Sequence, residues 1–228
     1  MKCKRMILAA TQIGVVLSFA GCVNSTMSTS NAVNGDFETA YDAVSNTAPT
    51  SDMPTRLEGA YKGRLKMGVN QGPADALGSG INATNAEIFG DLNLAVDWTD
   101  GQTGNAITGT ASNFTANEAG STATIGFDGT LSVDASEPAT IARVVTPAQT
   151  IAGYSVPEIA TGSAAWVMTG QLSRDGTTAD TRLLFNGQLK GAGASSINGA
   201  VVGSLTEAGT AQTGPDVGLG GVFYANKQ

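Results

Sequence analysis

Two cysteines, nineteen carboxylates and no histidine define the chemistry open to this chain of 228 residues. Without histidine, Ser-His-Asp and Cys-His nucleophile systems are excluded, as are His-ligated zinc and His-ligated haem. The carboxylates do not fall into a metal-binding or catalytic spacing. Asp97, Asp100 and Asn105 flank Gly101, but the alternate-position carboxylates and closing Glu of an EF-hand are missing, and a solvated hairpin turn is expected. Glu87 and Asp91 are four apart, hence on one face of a strand, and a solvated outer face accounts for them. Gly191-Ala192-Gly193 and Gly218-Leu219-Gly220 lack the spacing and the helix of a phosphate loop. Trp98 and Trp166 sit in apolar registers and read as core. No catalytic residue, metal ligand or cofactor is expected, and the chain is read as a non-enzyme. Net charge is −7 with a pI near 4.5, so no nucleic-acid partner is expected, because phosphate binding takes clustered Lys and Arg.

The residue with the most informative surroundings is Cys22. Lys2-Cys3-Lys4-Arg5 makes a short positive stretch, and the apolar run from Met6 to Ala20 is shorter than the roughly 20 residues of a spanning helix. Ser18-Phe19-Ala20-Gly21 then brings small residues up to Cys22. This order resembles a bacterial lipoprotein signal, with cleavage between Gly21 and Cys22 and lipid attached to the cysteine. Phe19 stands where such signals prefer Leu. Cys3 would leave with the leader, so the one remaining cysteine would carry a lipid anchor and no disulfide. Val23 occupies the position where an inner-membrane retention signal has Asp, so the resemblance implies lipid anchoring in the outer membrane, exposed at the surface.

Around this candidate anchor the chain divides into a leader (1–21), a tether (22–54) and one folded domain (55–228). Residues 23–35 have the Ser, Thr, Asn and Ala composition of a flexible tether. Phe37, Ala40, Tyr41 and Val44 then fall at i, i+3, i+4 and i+7, which predicts a short amphipathic helix over 36–46 that must dock on the folded domain. From Leu57 the period is two. Leu57, Tyr61, Leu65, Met67 and Val69 share one face, and Arg56, Glu58, Lys62, Arg64 and Lys66 the other. Similar strands are expected at about 88–98, 106–114, 123–133, 163–173, 180–191, 197–206 and 217–225. Asp128-Gly129, Asn186-Gly187 and Asn198-Gly199 resemble hairpin turns, yet a hairpin there would set Phe127 against Thr130 and Ile125 against Ser132. Reading straight through keeps the apolar residues on one side, whereas Asp175-Gly176 is a genuine turn candidate. The expected fold is all-β: an eight-stranded antiparallel up-and-down β-barrel preceded by a short N-terminal helix. A transmembrane barrel would turn the apolar face outward, against which stand the 6% aromatic content and the glycines on that face.

Several stretches resemble the β-barrel lipoproteins related to transferrin-binding protein B and factor H binding protein. Gly59-Ala60-Tyr61-Lys62-Gly63 is similar to the opening strand of those barrels, and Ile107-Thr108-Gly109-Thr110-Ala111-Ser112-Asn113-Phe114 to the third. Phe127-Asp128-Gly129 resembles the fourth, and Gly220-Gly221-Val222-Phe223 the closing strand with its Gly-Gly-x-Phe. Ser204-Leu205-Thr206 stands where the family has Phe-x-Gly-Pro, and Gly218 and Leu219 replace an expected acid. The resemblance implies a monomeric surface barrel whose loops bind a protein partner or assist acquisition of an iron source; the residues that would bind a partner are not assigned. The other reading is a lipocalin-like carrier holding a small apolar ligand in the lumen. The inward residues Leu57, Tyr61, Leu92, Trp98, Phe127, Trp166, Phe185 and Phe223 are expected largely to fill that lumen. The connection over 134–162 contains Pro138, Pro147 and Pro157 together with Val144, Val145, Ile151, Tyr154 and Ile159. It is expected to plug one mouth or to expose an apolar partner surface.

Overall fold

A strand with one apolar face needs a neighbour on each edge and a cover for that face. The computed structural model describes residues 32–118, 121, 123–151, 153–209 and 216–228. Helix α1 (Ala32–Ser45) leads into β1 (Arg56–Gln71), β2 (Ala86–Thr99), β3 (Ile107–Glu118), β4 (Ile125–Gly126), β5 (Asp128–Val133) and β6 (Thr140–Thr146). Then come β7 (Gln149–Ile151), β8 (Tyr154–Val156), β9 (Ile159–Arg174), β10 (Thr177–Lys190), β11 (Ser196–Glu207) and β12 (Val217–Lys227). The antiparallel pairings run β1–β2–β3–β5–β9–β10–β11–β12 and return from β12 to β1. Eight strands thus close a ring, and among the described residues the protein is all-β apart from α1 and two short 3-10 turns.

The inner face carries the core. Leu57, Tyr61, Leu65, Leu92, Trp98, Leu131, Trp166, Phe185 and Phe223 are buried in one cluster to which every strand of the ring contributes. Arg56, Glu58 and Lys62 face outward. Asn186-Gly187 and Asn198-Gly199 lie inside unbroken strands, while Asp175 (φ +51°) and Gly176 (φ +82°) make the tight turn between β9 and β10. The interior glycines have a packing role. Gly187 and Gly199 pair across β10 and β11, Gly199 pairs with Phe223, and a Cβ on Gly187 would stand 2.8 Å from Cζ of Phe223. Glycine here leaves the volume that a phenyl ring fills.

Residues 128–133 continue through Asp128-Gly129, with Leu131 buried and Thr130 exposed. The strand differs from the expectation in two ways: residues 123 and 124 lie outside it, and it breaks at Phe127, whose N–H donates to Phe114 O at 2.9 Å. The cause lies on β3. Its register against β2 slips between Phe89 and Asp91, beside Asn113 at φ +55°. The slip lays Phe114 over Gly90, where a Cβ would stand 2.8 Å from Cε1.

Helix α1 starts earlier than the expected 36 and packs on the outer face of the ring. Phe37 stacks on Tyr41 (5.8 Å) and meets Phe89 of β2 and Tyr224 of β12 at 6.0 and 5.5 Å. Phe37, Val44, Phe89 and Tyr224 form a second buried cluster outside the ring. Lys66 ties the two together, donating to Glu38 at 2.6 Å and approaching Glu87 at 2.7 Å.

The 134–162 connection, expected to plug one mouth or to expose an apolar surface, folds as a paired arm whose outer part exposes apolar side chains. β6 pairs with the first half of β9 on the edge that β5 occupies further along, and β7 pairs with β8 in the same hairpin. β9 therefore begins at Ile159, before the expected 163, because its extra residues have partners: Thr146 to Arg143 on one edge, and Ser51 and Met53 bonded to Ala160 on the other. The base of this arm joins the core through Ala139, Ile141, Ala160 and Ala164. Its outer part is exposed.

Candidate functional site: a cavity at one end of the ring

The ring has two unlike ends. One holds the arm, residues 46–55, the turn after β2 and the 191–195 turn; its interior is filled. Trp166 stacks on Phe185 at 4.9 Å, and Phe223 meets both edge-on at 5.2 Å. Tyr61 O–H donates to Ala194 O at 2.7 Å, and burial pushes the phenol's pKa up to about 12. Asp52 caps this end from outside. The Gly193 N–H and then the Thr50 hydroxyl donate to its carboxylate and hold its pKa below the usual value.

The other end encloses a cavity of about 300 Å³, which sits at the lower bound of small-molecule sites. Each wall residue comes from a different stretch of the ring: Met67 on β1, Ile88 on β2, Phe127 between β4 and β5, Leu172 on β9, Leu205 on β11 and Leu219 on β12. β10 contributes Ala179 and Thr181, small side chains where further along the same face it carries Leu183, Phe185 and Leu189. That change in size leaves the space open. The Thr181 hydroxyl donates to Ala179 O at 3.3 Å, so this buried group is satisfied within its own strand.

Residues 72–85, between β1 and β2, fold over the cavity. Leu77, Ile81 and Ala83 are buried although they lie in a connection that opens with Gly72-Pro73 and carries Gly78 and Gly80, and Ala76 and Leu77 face the cavity. Gly78 at φ +86° turns the chain there. Arg174, at the end of β9, latches this flap: Nη1 donates to Leu77 O at 2.8 Å, Nη2 to Ser79 O at 2.6 Å, and Nε lies 3.3 Å from Asp175. Asn82 N–H donates to Glu118 Oε1 at 2.6 Å on the far side. Ser79, Asp75 and Thr177 complete the rim.

The inward residues, expected largely to fill the interior, leave a cavity of about 300 Å³ open at the flap end. Seven of the eight expected fillers are buried, whereas Phe127 is half-buried at the cavity wall. Trp98 and Trp166 are buried core residues, each with an indole N–H that lacks a hydrogen-bond partner among the described residues. Asp100 pairs with Arg143 across 3.3 Å, Glu87 with Lys66, and Asp91 with Arg64, all on the outside of the ring. Gly191-Ala192-Gly193 is the turn that binds Asp52, and Gly218-Leu219-Gly220 lies in β12. Gly21 and Cys22 lie outside the described residues. Among the described residues, no group of three or more His, Cys, Asp and Glu side chains is placed to hold a metal ion. Sequence reasoning passed over Leu77, Arg174, Ala179 and Thr181. Two signals pointed to three of them, an apolar residue inside a Gly-Pro connection (Leu77) and two small inward residues at the start of a strand otherwise bulky inside (Ala179, Thr181); none pointed to Arg174.

A second surface is the outer arm. Tyr154 is 80% exposed and Val144 62%, and Val145, Ile151 and Ile159 are exposed beside them. From 144 to 159 Glu158 is the one charged residue.

A scan of protein-family models, a search of curated proteins and a search of solved structures found no match to this chain.

Proposed function

We propose that the ring is an eight-stranded up-and-down β-barrel, and that the protein binds a small apolar ligand in the open half of its lumen. The carrying observation is the apolar cavity beneath a latched flap, in a barrel whose other half is filled by aromatic rings. Binding would be driven by removing the ligand's apolar surface from water against Met67, Ile88, Leu172, Leu205 and Leu219. Release would require the residue 72–85 segment to part from Arg174. Titration with N-phenyl-1-naphthylamine, a neutral probe that fluoresces in apolar surroundings, should show saturable binding to one site. Ala179→Phe should abolish that binding while leaving the melting temperature unchanged or higher. Probe binding that persists in Ala179→Phe would place it elsewhere and defeat the reading.

We read residues 1–21 as a lipoprotein leader and Cys22 as the lipid attachment point in the outer membrane, on the order of basic, apolar and small residues before it. Cys22→Ser should then leave an unprocessed or soluble exported form. A variant that matures and fractionates with membranes like the parent would refute the anchor. The exposed, nearly uncharged arm supports a second reading, in which a protein partner docks there. Trimming residues 147–157 to a tight turn should then abolish capture of the partner without lowering the melting temperature.

A further inference from the structure

The charges around the cavity mouth restrict what can enter it. Asp75, Glu118, Asp128, Asp175, Glu207 and Asp216 all lie on the flap, the β9–β10 turn or the strand ends that frame this mouth. Arg174 is the one basic residue on those segments among the described residues. Its cation is already engaged: the Asp175 carboxylate lies 3.3 Å from Nε, and two of its N–H groups donate to the flap carbonyls of Leu77 and Ser79. Asp75, on the lining itself, forms no ion pair with a described residue. An anionic ligand would bring its charge against this negative rim without a free cation to receive it. A neutral or cationic ligand would not.

Resting on the reading of the cavity as a ligand site, we propose that it selects neutral or cationic apolar molecules over anionic ones of the same shape. The apolar body lies against Leu172, Leu205 and Leu219, and an uncharged polar or amine group faces Asp75 and Asp175 at the mouth. Anionic amphiphiles of the same shape are disfavoured by charge.

A matched pair of probes tests this with the full-length protein. N-phenyl-1-naphthylamine is neutral, and 8-anilino-1-naphthalenesulfonate carries a sulfonate on the same aryl-amine skeleton. The neutral probe should bind about tenfold or more tightly at low ionic strength, and the gap should narrow with added salt, because rim charges exposed to water are screened. Asp75→Asn combined with Asp175→Asn should also narrow the gap, by removing one charge from the lining and freeing Arg174 of its counterion. Ala179→Phe identifies the signal that comes from the cavity. Equal affinity for both cavity-bound probes would overturn the charge selection and leave the cavity reading intact, as would a gap untouched by salt and by the double substitution. Failure of the neutral probe to bind in the cavity would overturn the cavity reading itself, and the selection with it.

Discussion

The two ends of the ring interior are built on the same strands with the same alternation, yet one is packed with stacked aromatic rings and the other keeps a cavity. In the arm half, Tyr61, Trp98, Trp166, Phe185 and Phe223 fill the space, Gly187 gives way to Phe223, and Gly199 lets β11 close on Asn186 and Gly187 of β10. In the flap half one aromatic, Phe127, reaches the wall, and β10 presents Ala179 and Thr181. Aromatic side chains bury the largest areas and suit stability, whereas a binding site needs walls that leave room. The contrast shows how a small ring can divide these tasks along its axis: the arm half holds the strands together, and the flap half can stay open without loss of register.

The largest expected effect separates the halves directly. Trp166→Ala removes the centre of the aromatic stack and should cost about 3–5 kcal/mol in denaturant unfolding. Leu205→Ala on the cavity wall enlarges a space that already exists and should cost about half as much, near the lower end for such truncations. Equal costs would break the comparison. Next comes Gly187→Ala, which sets a methyl against Phe223 Cζ and Asn198 O and should destabilise by about 1–3 kcal/mol through overpacking. Ala179→Phe sharpens the comparison from the other side. The ring it adds enters empty space, so its unfolding free energy should change by less than about 1 kcal/mol, measured by the same denaturation.

The smallest effect concerns pH, and it too belongs to the arm half. Asp52 is held below its ordinary value of 3.8 by the Gly193 N–H and Thr50. Its contribution is present above that value and is lost as pH falls through the lower folded pKa. Asp52→Asn should therefore lower the melting temperature slightly at pH 7 and lessen the further drop below about pH 4. On the alkaline side, Tyr61 is raised to about 12, so its contribution is complete below pH 10 and disappears as pH climbs towards 12. An acid transition identical in the parent and Asp52→Asn would remove Asp52 from the account.

Alternation of residue type by itself determined most of the strands, their inward faces and the straight passage through Asn186-Gly187 and Asn198-Gly199, because a strand's side chains switch faces at every residue and a register error would bury the charged set. The Asp175-Gly176 turn followed from turn residues standing between two such strands, and the helix face of Phe37, Tyr41 and Val44 from a period of 3.6. Tertiary structure alone decided what no local period encodes. It placed α1 outside the ring, on Phe89 and Tyr224. It drew the proline-bearing 134–162 stretch into an arm along β9, because an edge of β9 beyond β5 was left to pair. It also brought Leu77 from one connection and Arg174 from a distant strand together over the cavity. Whether a lumen is filled depends on side chains from many strands meeting at one height along the axis. That height is set by strand pairing and register slips such as the one beside Asn113, so the set of inward residues gives the volume available but not where it is left empty.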